Sequence, residues 1–176
     1  MLEEQFPNLQ SHINFVIHAH QDRAKVPDNR VRGWDNETPY LIHPLWCATT
    51  ILTETSLSRD LKIEGILVLL YYDVIEDTNA GVPNDLPLNV RLSIGHMTFV
   101  GGMRQEMNEI WEKEPKIRLY KPYNKVSNLL DSSWMQSDYQ IKYRTYTYKL
   151  LLDVEKEFGL LNIVNIAHSI ISPVKL

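Results

Sequence analysis

With 176 residues, 44% of them hydrophobic and 23% charged, the chain has the apolar content for one sizeable core and too much of it for a disordered or low-complexity polymer. Its formal charge of −4 argues against a general binder of nucleic-acid backbone. The longest apolar run, Ile66 to Tyr72, falls far short of the roughly 18 residues that a membrane span needs. The one cysteine, Cys47, and an acidic start, Met1-Leu2-Glu3-Glu4, predict a reducing, cytoplasmic setting without internal disulfides.

In chain order, Phe6, Leu9, Ile13, Val16, Ile17 and Ala24 recur at helical spacing and predict a helix over residues 3–24. Residues 25–42 combine prolines, a glycine and several Asp and Asn, the signature of a long loop, and carry Lys25, Arg30 and Arg32 close behind Arg23. That basic cluster is suited to phosphates or to a nucleotide base. His43-Pro44 is expected to open the next helix, since proline fits the first helical position, with helix following over 45–57. Ser58 and Asp60 read as cap and first-turn acid of a helix over 59–78, apolar almost all round and therefore central. A loop over 79–88 precedes helical periodicity through Val90, Ile94, Met97, Met107 and Ile110, broken near Gly101-Gly102. Helices over about 117–134, 138–157 and 160–171 complete a single all-α domain spanning 1–176.

The central helix ends in Tyr72-Asp73-Val74-Ile75-Glu76-Asp77. Asp73, Glu76 and Asp77 are three and four residues apart and so share one face. A carboxylate taken from water without a partner is costly, so these acids require compensation or solvent. On the helix near 121–129, Lys121, Asn124, Lys125 and Asn128 share a face in the same way. Tyr139, Tyr143 and Tyr146 fall at the spacing of a half-buried helix face.

Three segments, Thr38-Pro39-Tyr40-Leu41-Ile42-His43-Pro44, Tyr72-Asp73-Val74-Ile75-Glu76-Asp77-Thr78 and Lys121-Pro122-Tyr123-Asn124-Lys125-Val126-Ser127-Asn128-Leu129, resemble in order and spacing the HD-superfamily metal-dependent phosphohydrolases. Among these they are most similar to the hydrolase domains acting on the alarmone ppGpp, and the resemblance runs from about residue 10 to residue 155. It implies an HD-type helical bundle with a cleft for a nucleotide and a divalent metal, commonly manganese, held by two histidines and two aspartates. His43 and Asp73 match two of those ligands, whereas Tyr72 stands at the second histidine position and Asn124 at the late aspartate position. The resemblance assigns the activation and positioning of the attacking water to Glu76 and Asp77, and substrate contacts to Arg23, Lys25, Lys125, Asn128 and Tyr146. With two ligands changed, one unit of the metal's charge is left unbalanced. Metal binding and phosphohydrolase activity are therefore expected to be weak or absent, the alternative being a catalytically silent module that binds a nucleotide or a protein.

Overall fold

The computed structural model describes residues 9–171. Helix α3 (Arg59–Asp77) is the axis on which the others are laid. It starts where the sequence expects: Ser58 Oγ accepts from the Leu61 N–H at 3.3 Å and Asp60 lies in the first turn, which satisfies an orphan donor and suits the positive helix end. Residues 65–74 of α3 are all buried, packed against α1 (Leu9–Asp22), α2 (Ile42–Thr50), α4 (Leu88–Met97) and α6 (Pro115–Leu130). α6 in turn contacts α7 (Ser137–Phe158) and α8 (Asn162–Ile170), while the short α5 (Gly102–Glu109) follows the glycine break. The described residues contain no named strand, only two isolated antiparallel bridges, Ala24 with Thr78 and Val31 with Pro39. None of the described helices is long and apolar enough to cross a membrane.

Several boundaries differ from the sequence expectation for identifiable reasons. Part of the first predicted helix, residues 3–8, lies outside the described residues, and α1 ends at Asp22 rather than 24. α2 begins at Ile42, so Pro44 is its third residue and not its first. The first four N–H groups of a helix have no partner within it, so a proline there forfeits nothing. The helix predicted over 45–57 stops at Thr50 and tightens into a single 3₁₀ turn, Ile51–Thr53, where Thr50 and Thr53 bond back to preceding carbonyls. Glu54 then fixes the start of α8: its buried carboxylate accepts from Asn162 N at 2.6 Å and Ile163 N at 2.9 Å, and from the Tyr123 hydroxyl at 2.9 Å. α6 ends at Leu130 rather than 134 because Asp131 turns away to pair with Arg32 at 2.6 Å. The predicted loop over 25–42 contains a 3₁₀ turn, Pro27–Arg30.

Gly65 marks the closest approach between α3 and its neighbours. A methyl group there would meet Ile51 Cδ1 and, at 2.9 Å, Tyr120 Cε1. Gly65→Ala gains about 1 kcal/mol of helix propensity but overpacks two fully buried side chains, a cost of about 1–3 kcal/mol. Net destabilisation is expected in a urea titration. A variant more stable than the parent would show that Ile51 and Tyr120 give way freely.

Candidate functional site

The start of α2, the end of α3 and the middle of α6 converge on His43. Its Nδ1 lies 2.8 Å from Ser127 Oγ, and its Nε2 lies 2.9 Å from the Tyr72 hydroxyl, 3.2 Å from Asn124 Nδ2 and 3.3 Å from Asp73 Oδ2. Asn124 also donates to the Tyr72 hydroxyl oxygen. All five side chains are buried. Because the Asn124 amide nitrogen can only donate, Nε2 is the accepting nitrogen of a neutral ring. Burial lowers the His43 pKa and keeps the ring neutral against the opposing pull of Asp73. Burial, aided by the Asp73 charge, pushes the Tyr72 phenol well above its ordinary range. Burial also works against ionisation of Asp73, yet contact with His43 and Tyr72 holds its carboxyl below the usual range.

The lone pair of His43 Nε2 is taken up by an N–H, the phenol is held protonated, and the amide of Asn124 presents its nitrogen inward. Among the described residues no group of three or more His, Cys, Asp or Glu side chains is placed to hold a metal.

Beyond Asp73, the last turn of α3 carries Glu76 and Asp77 into a cleft of about 160 Å³. Glu76 Oε1 accepts from the Phe99 N–H at 3.2 Å. Burial raises the Glu76 carboxyl, with Asp73 adding and Lys121 opposing. Asp77 is raised to about 7 by burial and the Asp73 charge, against a hydrogen bond with Tyr40. The orphan carbonyls at this helix end are met by Lys25, whose Nζ donates to Ile75 O at 2.8 Å and Glu76 O at 2.7 Å, a standard role for a cation at a helix C-terminus.

The facing wall comes from α5, α6 and α7. Glu106 of α5 accepts from Lys125 at 2.9 Å and Tyr146 at 2.9 Å and pairs with Lys121 at 3.2 Å. Burial alone would raise the Glu106 carboxyl, but the charges of Lys125 and Lys121 outweigh it and hold it at about 2. The same pairing raises Lys125 against its own burial. Asn128 receives Arg32 at 3.1 Å and donates to the Tyr143 hydroxyl at 3.1 Å.

Of the residues singled out in the sequence, His43, Asp73 and Asn124 meet at one point together with Tyr72, and Asp73, Glu76, Asp77, Lys125 and Asn128 line the cleft. Tyr146 stands behind Glu106, Arg23 is exposed, and Lys25 is engaged on the α3 carbonyls; none of the three lines the cleft. Arg32, read in the sequence as part of a basic cluster suited to phosphates or a base, is buried and tied to Asp131. Sequence reasoning passed over Glu106, although two lysines four residues apart on a buried helix face call for a counter-charge somewhere. It also passed over Tyr40, which bonds Asp77 and stacks at 4.7 Å on the buried ring of His20.

Among solved structures, a metazoan ortholog of SpoT, described as hydrolysing ppGpp and playing a role in starvation responses, superimposes with a TM-score of 0.69 over 92% of each chain at 18% identity. The two chains share one fold. It is the helical HD-type fold that the three sequence segments imply. No protein-family model and no curated protein matches this sequence.

Proposed function

We propose that this chain is a nucleotide phosphohydrolase-like protein of the HD type, akin to ppGpp pyrophosphohydrolases, whose centre holds a divalent metal weakly or not at all, so that hydrolysis is weak or absent. The observation that carries this reading is His43 Nε2: the nitrogen a metal would need is bound instead by Asn124 and Tyr72. The nucleotide assignment is supported by the shared fold with a protein described as hydrolysing ppGpp and by Lys125 and Asn128 on the cleft wall. In this reading Glu76 and Asp77 are the groups that orient and deprotonate water, with Asp77 poised near neutrality. Arg23 and Lys25 act at the margin of the cleft, where the Lys25 N–H donates to Asp77 O and Arg23 O accepts from Asn79 N, and Tyr146 acts through Glu106.

A second reading, a catalytically silent module that binds a nucleotide or a protein, is favoured by one surface feature. Trp34, Ile42 and Leu130 are each more than half exposed around a separate depression bordered by Trp46, and apolar side chains gathered in this way mark contact surfaces.

Elemental analysis of protein purified from manganese-supplemented cultures tests the main reading. Well under one equivalent of manganese, iron or zinc is expected, together with little or no pyrophosphate released from ppGpp when Mn²⁺ is added. One tightly held equivalent of metal would refute it.

A further inference from the structure

Trp134 lines the cleft at its solvent edge and has no part in the chemistry proposed above. At 53% exposure it is the most open of the aromatic side chains along the wall, which include Tyr40, Phe99, Tyr139 and Tyr143. One face of its indole is covered. A Cβ placed on Gly33 would lie 3.2 Å from both Cγ and Cδ1 of Trp134 and 3.4 Å from Nε1. Three consecutive ring atoms at nearly equal distance put that point over the ring and not at its edge, so the indole lies flat against Gly33, a close approach that the absence of a side chain permits. Gly33 itself does not line the cleft. The covered face is therefore the one turned away, and the opposite face is open to what enters.

The polar groups along this part of the cleft that could read the edge of a ligand are already engaged within the protein. Asn128 accepts from Arg32 on Oδ1 and donates from Nδ2 to the Tyr143 hydroxyl, each at 3.1 Å, and the Tyr139 hydroxyl donates to Met103 Sδ at 3.1 Å. What remains is a flat aromatic surface with few directional groups. Such a surface holds planar rings by stacking, and every nucleobase has a face for it. The two fused rings of an indole cover a purine more fully than a pyrimidine. Further in, Glu106 supplies one negative charge to Lys121 and Lys125 together, which leaves one positive charge on that wall for a phosphate.

We propose that Trp134 is the platform on which the base of a nucleotide stacks, and that the cleft selects purines by area and not by edge, so that guanine and adenine nucleotides are held alike. This rests on the nucleotide reading above. The base lies on the open indole face at the rim, and its phosphates extend towards Lys125.

Titration calorimetry and tryptophan fluorescence on the full chain, with GDP, ADP and UDP as probes, test the assignment. Saturable binding of GDP and ADP within about threefold of each other is expected, with UDP weaker by about threefold or more and with tryptophan emission quenched by GDP. Trp134→Ala is expected to weaken GDP and ADP about tenfold or more, the scale of one base–aromatic stack. Trp134→Phe keeps an aromatic face and stays within about threefold of the parent, while the quenching by GDP disappears. Unchanged GDP binding by Trp134→Ala, a loss in Trp134→Phe as large as in the alanine variant, quenching that survives in Trp134→Phe, UDP bound as tightly as GDP, or a preference of about tenfold between GDP and ADP would each overturn the proposal. These outcomes leave the nucleotide reading in place, since the parent still binds. A parent chain that binds none of the three nucleotides overturns both.

Discussion

A chain carrying Tyr72→His and Asn124→Asp together is expected to take up one equivalent of Mn²⁺ and to release pyrophosphate from ppGpp at a rate at least 100-fold above the parent, while each single change does far less. The double change supplies an imidazole where the Tyr72 hydroxyl now sits against His43, and a carboxylate where Asn124 now donates. A unit negative charge 4 Å from a dication is worth about 8 kcal/mol at an effective dielectric near 20, before solvent compensation. Half of that already exceeds the roughly 2.7 kcal/mol that a hundredfold change requires. The singles fall short because both ligands serve one ion, so the effects are strongly non-additive. In Tyr72→His, Asn124 still presents an N–H to the imidazoles. In Asn124→Asp, the buried phenol still blocks Nε2. A parent chain that turns over as fast as the double variant would make Tyr72 and Asn124 no handicap. A double variant that binds metal and cleaves none of a panel of nucleotides would shift the reading to the silent module.

Glu106→Gln is expected to be the most damaging single substitution for stability. Glu106, Lys121 and Lys125 are all nearly inaccessible to solvent, and the carboxylate is the shared counter-charge of both lysines. Removing one partner of a buried ion pair typically costs about 3–5 kcal/mol because the other charge stays behind, which for a chain of this size lowers the melting temperature by roughly 10 °C or more. The same carboxyl makes the parent acid-sensitive. Its folded pKa of about 2 lies below the ordinary value of about 4.3, so its contribution is fully present above about pH 5. It is lost as the pH falls through 4 towards 2 and amounts to ~3 kcal/mol. Denaturation curves at several pH values should therefore show the stability gap between parent and Glu106→Gln narrowing over that interval. A gap that stays constant down to pH 2 would show that the carboxylate is not held by the lysines.

The legible parts of this molecule are those whose causes are local. α3 starts at Ser58 because a serine hydroxyl reaches an N–H three residues on, and its burial follows from an apolar run with no polar face until Asp73. The meeting of His43, Tyr72, Asp73 and Asn124 was legible through the three motif segments, since the fold they imply brings those positions together. Glu106 was not, because nothing in a short polar helix announces that its one buried residue neutralises two lysines 15 and 19 positions away. Arg32 was misread for a related reason: what distinguishes it from the neighbouring basic residues is contact with Asp131 and Asn128, 99 and 96 positions distant. The start of α2 was missed by two residues because Pro44 is sterically acceptable throughout the first turn.

The hydrogen bond from Asn124 to the Tyr72 oxygen also bears on how this sequence can change over generations. Tyrosine and histidine codons differ at one base, as do asparagine and aspartate codons, so a four-ligand centre lies two point mutations away. With the two side chains bonded to each other and both against His43, a lineage taking either step alone disturbs a satisfied pair before gaining a usable ion site. Each half is a single base from its alternative, but the two are bonded to each other, so a change at either one leaves the other without its present partner.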